Sequence, residues 1–344
     1  MLCSDKPSPC KGGQRYIMKK AVLSMKKLLR LKALKSYLPA LLAAFTLLFG
    51  GNILNPQFSS MKNVGSLLSM ASIIAIAAAA QTFVVLIGGE SIDLSIGPVM
   101  SLTALMIPHL TKGDNGMLVP MILFLVLLGA FIGFVNGFCS QIIKIPPMIM
   151  TMIMGTVVNG LTFAWTRGMP SLTIPKNLLF MKRQLIGSFS GIVFAVILIV
   201  IITEFVLRKT RYGKSLYLIG SNRNASLLSG ININKNVVLA YLISGTIAAL
   251  GGILTIGFLG IGNIKICESY TMYSVAAIAI GGANMQGGRG TILGALIGAI
   301  VLQLLSSVLV TAGWNQGIRQ LIQGVVLLLI LIAIFLKSAK QLQQ

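Results

Sequence analysis

The chain has 344 residues, of which 56% are hydrophobic and only 10% are charged, and its mean hydropathy is +0.90. A soluble domain would carry about a quarter charged residues, so an ordinary soluble protein is excluded. The formal net charge of +22 would indicate nucleic-acid binding in a soluble chain. In a membrane protein it reports orientation instead. We therefore predict an all-α integral membrane protein in contact with lipid, without a nucleic-acid partner.

A transmembrane helix needs about 20 mostly apolar residues, and the sequence contains ten candidate segments. The third and eighth are short and run into glycine, which predicts broken or tilted helices. The segments cover residues 37–54, 65–88, 95–111, 117–142, 146–166, 186–207, 237–259, 270–282, 291–312 and 317–336.

The basic residues predict the topology. Ten of the 28 precede the first span, which places the N-terminus in the cytoplasm by the positive-inside rule. An even number of spans returns the C-terminus there. The prediction is a basic cytoplasmic extension (1–36), a transmembrane domain (37–336) with a basic cytoplasmic loop (208–236), and a cytoplasmic tail (337–344). The loop that holds Cys267 then lies outside, where this thiol is expected to be accessible.

The stretch 89–97 places Glu90, Asp93 and Ser95 between two apolar spans. Spacing of three would put the two carboxylates on one helical face. A carboxylate in the middle of a membrane costs about 2.5–3.5 kcal/mol on insertion scales, so both are expected at the cytoplasmic edge or in a wet cavity. Two interpretations stay open. Asp93 caps a broken helix while Glu90 is solvated, or the pair contacts solute or a gate.

Isolated polar side chains inside the spans are candidates for a solute path, because each needs a hydrogen-bond partner in lipid. Bonding between helices is the alternative for any one of them. These residues are Gln81, Asn136, Asn159, Thr246 and Gln303.

The sequence predicts no catalytic residues, no metal site and no cofactor. Its only Gly-Lys-Ser, at 213–215, has Arg208 where a phosphate-binding loop needs its first glycine. The one histidine, His109, lies near a span end. The chain is therefore predicted to be a transport protein whose energy comes from a partner.

Glycine patterns predict close helix packing. Glycines spaced by four occur at 129, 133 and 137 and again at 290, 294 and 298. A Gly-Gly loop at 280–290 also repeats the outline of 87–97, as internal duplication in transporters does.

Within 208–236, residues 222–229 have the polarity of a short amphipathic helix bounded by glycines. A solvated linker is one interpretation. A docking helix for a motor subunit is the other, with Asn222, Arg223, Ala225 and Gly230 as its contact residues.

Four motifs, in order, resemble the ribose-type permeases of ATP-binding-cassette importers over roughly residues 65–335. The first is Ile-Asp-Leu-Ser-Ile-Gly at 92–97, and the second is Gly-Phe-Val-Asn-Gly at 133–137, followed by Ile-Pro-Pro at 145–147 and Thr151. The third runs from Tyr-Gly-Lys at 212–214 to Ser-Gly-Ile at 229–231. The fourth runs from Gly-Gly at 281–282 to Gly-Gly-Arg-Gly at 287–290.

The resemblance implies a ten-helix permease of a bacterial-type inner membrane. It implies pairing with a second copy or a sister permease above two ATPase subunits, and solute delivery by an extracytoplasmic binding protein. Residues 222–231 would be the coupling helix. The sequence departs from the family at Ser91, usually glycine, and at 270–273, where Tyr-Thr-Met-Tyr replaces an acidic Tyr-Glu-Leu-Asp.

The prediction is thus a permease for a simple sugar or similar small polar solute. An ion-coupled carrier would need buried ionisable pairs, and a membrane enzyme would need a catalytic cluster. Within the importers, a nucleoside, a branched-chain amino acid or a signalling sugar remains open as the solute.

Overall fold

A computed structural model describes residues 37–170 and 173–342 of the chain. The predicted basic extension 1–36 lies outside the described residues. Ala40–Gln344 forms one compact unit. The unit before it is described only at residues 37–39, where the first helix begins.

The described chain is predominantly helical, as the sequence predicts. The helices are α1 Tyr37–Leu54, α2 Met61–Val85, α3 Ile96–Thr111, α4 Leu118–Phe138, α5 Pro147–Thr166, α6 Gly191–Lys209, α7 Arg211–Ser221, α8 Arg223–Leu228, α9 Ile233–Leu259, α10 Tyr270–Ile280, α11 Ile292–Thr311 and α12 Gln316–Leu342.

Seven helices in the described part of the chain are long and apolar enough to cross a membrane, namely α1, α2, α4 with its π-helical end, α5, α6, α9 and α11. The short apolar helices are α3, with 16 residues, and α10, with 11. They correspond to the third and eighth predicted segments, so the prediction that these two are short is confirmed. That they are broken or tilted stays a prediction. All ten predicted segments overlap a helix. The ten-span count and the cytoplasmic termini stay predictions.

The core lies where α9 packs against α2, α3 and α4, and where α11 packs against α2 and α10. Helix α2 is buried along most of its length, whereas α4, α5 and α6 carry exposed apolar side chains such as Val119, Trp165 and Leu198. Since lipid solvates such side chains as well as the core does, helix association depends on close packing rather than on hydrophobic burial.

Glycine provides that close packing, as predicted. Gly129, Gly133 and Gly137 of α4 face the backbone of α9 around Tyr241 and Gly245. A Cβ on any of the three would collide with α9. In the second run, Gly298 lies against the backbone of Ala277, and the backbone of Gly294 lies against Gly281. Gly290 instead precedes α11 in a loop.

Four local features were not predicted. The predicted basic loop 208–236 is largely helical, because α7 and α8 occupy it and α9 begins at Ile233. Helix α4 ends in a π-helix, Cys139–Ile143, and Leu178–Lys182 is a 3₁₀ helix. A two-stranded antiparallel hairpin, β1 Gln184–Ile186 and β2 Phe189–Ser190, turns at Gly187 with φ 57° and occupies the start of the sixth predicted span.

Candidate functional site

Residues 86–95, hereafter the Asp93 loop, connect α2 to α3 without regular helix. Gly88, Gly89 and Glu90 have φ values of 76°, 65° and 60°, a conformation that ends a helix and that residues with a Cβ rarely adopt. The prediction that Glu90 and Asp93 share one helical face is therefore wrong. Glu90 is exposed and Asp93 is buried.

The Asp93 carboxylate binds three donors. Oδ1 accepts hydrogen bonds from the backbone N–H of Ser95, at 2.9 Å, and from the Ser95 hydroxyl, at 2.6 Å. Oδ2 accepts one from the hydroxyl of Ser244 on α9, at 3.0 Å. The carboxylate thus binds the N-cap residue Ser95 rather than an N–H of α3 itself, where Thr271 binds Gly97 N instead. Asp93 is therefore not the N-cap residue that the capping interpretation expected. Its three donors explain how a carboxylate is tolerated in an apolar core.

Two predicted solute-path residues hold this loop in place. In the amide orientation that satisfies both partners, the Gln81 side chain donates to Asp93 O and accepts from Asp93 N, each at 3.0 Å. Asn136 of α4 donates from Nδ2 to Ser95 Oγ at 2.9 Å. Both side chains are fully buried. The structure therefore places Gln81 and Asn136 around Asp93, where their hydrogen bonds position the loop.

Two threonines that sequence analysis did not select as site residues complete the support of the loop and of the first turn of α3. Thr151 Oγ1 of α5 accepts from Leu94 N at 3.0 Å, and Thr271 Oγ1 of α10 accepts from Gly97 N at 2.9 Å. Threonine is common in apolar helices, so its presence alone carries no signal. The sequence offered two indications, since Thr151 belongs to the second motif of the family resemblance and Thr271 stands where the family has an acidic residue.

An open groove of about 610 Å³ lies beside α5. Asn159 Nδ2 and Lys265 Nζ each lie 3.4 Å from Glu268 Oε1. Both interactions are long, and the Lys265 and Glu268 side chains are 55% and 46% exposed, so the ion pair is weak. These groups can accept or donate hydrogen bonds to a ligand in the groove. Its lining residues are Leu94, Pro98, Met152, Gly155, Thr156, Asn159, Lys265, Glu268, Ser269, Thr271 and Met272.

The other two predicted solute-path residues lie elsewhere. Thr246 is half-buried on α9, and its hydroxyl donates to Leu242 O of the same helix. Gln303 is half-buried on α11. Of the five predicted residues, only Asn159 lines the groove.

The expectation that Cys267 is accessible is wrong. Its side chain is fully buried in the connection between α9 and α10, and its backbone N–H donates to Ser101 Oγ at 2.9 Å. Burial raises the pKa of the Cys267 thiol to about 12. The position of Cys267 in a predicted loop gave no indication that its side chain is buried.

Helix α8 confirms the predicted short helix within the basic segment. The Asn222 side chain caps it by accepting from Ala225 N at 3.0 Å. Every residue of α8 except Ser226 is exposed, including Leu227 at 63% and Leu228 at 90%. Exposed leucines beside basic residues form a surface that fits a protein partner.

Two contacts fix the base of this surface. Arg223 donates from Nη2 to Gln141 Oε1 at 2.6 Å, which ties α8 to the π-helical end of α4. Tyr212 of α7 is half-buried and its hydroxyl lies 3.5 Å from Asn236 O of α9, and the loss of solvent around it raises the pKa of its phenol. Gly230, with φ 75° and no atoms near its missing Cβ, ends the segment in a turn. The helix is therefore presented outward from a fixed base.

Among the residues that the structure describes, no group of histidine, cysteine, aspartate and glutamate could hold a metal ion. What the chain offers instead is a polar groove, a buried hydrogen-bonded loop and an exposed short helix.

A family model for permease components of branched-chain amino acid transport systems matches residues 63–331. The chain belongs to this permease family. The permease is 30% identical to the ribose import permease protein of Escherichia coli (strain K12) over 96% of this chain and 98% of the relative. It is 33% identical to that of Bacillus subtilis (strain 168), over 87% and 92%, and 30% identical to the fructose import permease protein of Rhizobium meliloti, over 86% and 83%. No solved structure matches.

The permease is therefore a transport subunit of an ATP-binding-cassette importer and not an enzyme. ATP is hydrolysed by a separate subunit, and an importer of this kind works with ATPase and solute-binding partners. The permease is a multi-pass protein of a bacterial-type inner membrane.

Proposed function

We propose that the permease forms the membrane pathway for a simple sugar or a similar small polar solute, and that solute passes the groove beside α5. The supporting observation is the groove itself, where Asn159, Lys265 and Glu268 present donors and acceptors within one polar patch. A few placed polar groups on an otherwise apolar wall are typical of sites for small polar ligands. The ribose and fructose import permeases among the relatives support the solute class.

The groove adjoins the Asp93 loop. Thr271 lines the groove and accepts the hydrogen bond from Gly97 N. Leu94 also lines the groove, while its backbone N–H binds Thr151. A change in the loop therefore changes the groove wall. In this proposal the buried residues Gln81, Asn136 and Asp93 support the pathway, and Asn159 contacts solute.

The ATPase docks on α8 in this proposal. The two exposed leucines of α8, together with Arg223, supply an apolar and basic surface. Ala225 lies on the same short helix, and Gly230 follows it in the turn after the helix. The groove is open on the side of Met152 and Met272, which are 56% and 51% exposed. We propose that a second copy of the permease, or a sister permease, closes it. An extracytoplasmic binding protein delivers the solute.

The test is uptake by proteoliposomes that contain the permease with the ATPase and binding protein of the same organism. Radiolabelled D-ribose, D-fructose and L-leucine are offered separately. We expect ATP-dependent uptake of a sugar, and Asn159→Ala should lower it at least ten-fold. Leu161→Ala is the control, because Leu161 lies on the same helix, is 63% exposed and is absent from the groove lining.

The outcomes separate the two parts of the proposal. Uptake of L-leucine with neither sugar would assign a branched-chain amino acid, for which Lys265 and Glu268 could bind the carboxylate and the ammonium group. Equal sugar uptake by the Asn159 and Leu161 variants would keep the solute class and remove the groove from the pathway.

A further inference from the structure

Three segments that are distant in sequence meet backbone to backbone at one point. They are the start of the Asp93 loop at Gly88, the last turn of α7 at Gly220, and the loop between α10 and α11 at Gly287 and Gly288. We call these four residues the glycine junction. The two Gly-Gly loops that the sequence repeats are thus in direct contact.

The contacts leave no room for side chains. A Cβ on Gly220 would collide with Leu86 O and Gly288 N, and one on Gly88 would lie 2.5 Å from Gln286 O. A Cβ on Gly287 would collide with the backbone of Gly88. Real Cβ atoms do not approach backbone this closely, so all three positions require glycine in this packing.

Hydrogen bonds join the same segments. Gly288 N donates to Leu86 O at 3.0 Å, which links the α10–α11 loop to the Asp93 loop. Tyr217 of α7 donates from its hydroxyl to Gly290 O at 2.7 Å. The α10–α11 loop is also closed on itself, since Asn284 N donates to Arg289 O at 2.8 Å. The junction therefore joins three segments that each keep their own shape.

The position of the junction connects two functional regions. Gly220 immediately precedes the Ser221–Asn222 end of α7, and Asn222 caps α8. Gly88 begins the turn that leads to Asp93. On the other side, the α10–α11 loop follows α10, whose Thr271 binds Gly97 N and lines the groove.

We propose that the glycine junction transmits movement of α8 to the Asp93 loop and the groove. Side chains between packed elements can absorb a displacement by changing rotamer, whereas direct backbone contacts cannot. The last turn of α7 and both Gly-Gly loops therefore move together. This inference rests on the proposed docking of the ATPase on α8. It assigns Gly220 and Tyr217 as positioning residues that act through the loops and do not touch solute.

The test follows backbone hydrogen–deuterium exchange in the complex of permease and ATPase, with and without Mg-ATP and orthovanadate. This readout needs no knowledge of the solute. The reporters are peptides covering 86–97, whose amides at Leu94, Ser95 and Gly97 bind side chains, and peptides covering 222–230. In the natural protein, nucleotide trapping is expected to change exchange at least three-fold in both regions.

Gly220→Ala places a Cβ inside the junction. In this variant, with the ATPase still bound, we expect nucleotide trapping to change hydrogen–deuterium exchange in 222–230 as before. The change in exchange in 86–97 should be lost. Gly160→Ala is the matched control, because no atom lies within 4 Å of a Cβ there. It should respond as the natural protein does. A normal response in 86–97 of the Gly220 variant would overturn the proposal.

A milder pair of variants covers the case in which Gly220→Ala does not fold. Tyr217→Phe removes the bond to Gly290 O and adds no atoms, so the response of 281–291 should fall. Tyr212→Phe on the same helix, whose hydroxyl lies 3.5 Å from Asn236 O, is the control. Equal responses in the two variants would overturn the junction's role. If 222–230 does not respond even in the natural protein, the docking proposal fails first and the junction has no movement to transmit.

Discussion

The side-chain amide of Gln81 pairs with both backbone polar groups of Asp93, at 3.0 Å each. Two such hydrogen bonds are what a residue on a neighbouring β-strand would make to Asp93, but here a helix side chain makes them. It satisfies the backbone of a non-helical turn in a buried position, where unpaired peptide groups are costly.

Gln81→Leu is expected to destabilise the permease, because the N–H and the C=O of Asp93 both lose their partner. Leaving one buried group unsatisfied costs about 1–3 kcal/mol. Thermal unfolding in detergent, followed by size-exclusion chromatography after heating, should show a clear loss. Gln303→Leu is the matched change at a half-buried glutamine. Similar unfolding temperatures for the two variants would contradict the role given to Gln81.

Asp93 should tolerate asparagine better than alanine. Asparagine keeps an oxygen for the Ser95 N–H, and its amide can donate to Ser244 Oγ, whereas alanine leaves both serines without that partner. We expect Asp93→Asn to be recovered as folded protein and Asp93→Ala to be recovered at a much lower yield. Glu90→Gln, at an exposed position of the same loop, should match the natural protein. If alanine and asparagine at 93 give the same yield, the carboxylate contacts do not hold the loop.

The Cys267 thiol should resist alkylation in the folded permease. Burial raises the pKa of this thiol to about 12, so pH 8 lies far below the pKa and the thiol is almost wholly protonated. Only the thiolate form reacts. N-ethylmaleimide is expected to modify it only after denaturation. Modification of the folded protein at pH 8, measured by mass spectrometry of its peptide, would contradict the buried placement.

A cysteine at Lys265 tests the predicted topology in place of Cys267. The Lys265 side chain belongs to the same connection and is 55% exposed. In a cysteine-free background, Lys265→Cys should react with an impermeant maleimide in intact, wall-stripped cells, and Asn224→Cys on α8 should react only after permeabilisation. The reverse pattern would invert the topology and place α8 on the wrong side for an ATPase.

Leu228→Asp should prevent ATPase binding while leaving membrane insertion intact, because it puts a charge on the most exposed leucine of α8. Ala225→Glu is expected to act similarly. Leu185→Asp in β1, at a leucine that is 41% exposed, is the control and should retain the ATPase. The measurement is co-purification of a tagged permease with its ATPase. Undiminished recovery with both α8 variants would remove this helix from the docking surface.

The sequence was sufficient for features that depend on local pattern. Apolar length located all the long helices, and the polarity of 222–229 predicted α8. The run at Gly129 to Gly137 predicted a close helix contact of α4, without indicating that its partner is α9. These signals are contained within one segment. The charge of 208–236 obscured α7, whose buried face of Gly213, Leu216 and Ile219 is short.

The site could be predicted only in part, because its contacts join residues far apart in the chain. Gln81, Asn136 and Asp93 were selected individually as polar residues in apolar surroundings, but nothing in their spacing indicates that they meet. The helical interpretation of Glu90 failed since two preceding glycines already end the helix. Thr151 and Thr271 act through hydroxyl groups whose partners are backbone amides, and a sequence does not show which amides lack a helical partner.

The length of α10 has a consequence for biosynthesis. Eleven residues rise only about 16 Å, roughly half of the apolar thickness of a bilayer, so this helix is a poor substrate for insertion by itself. Its partner α11 is long and apolar and packs against it through Gly281 and Gly298. We therefore expect the two to enter the membrane as a pair, after translation has passed Thr311. The groove wall at Thr271 would then be among the last parts of the permease to reach its final position during synthesis.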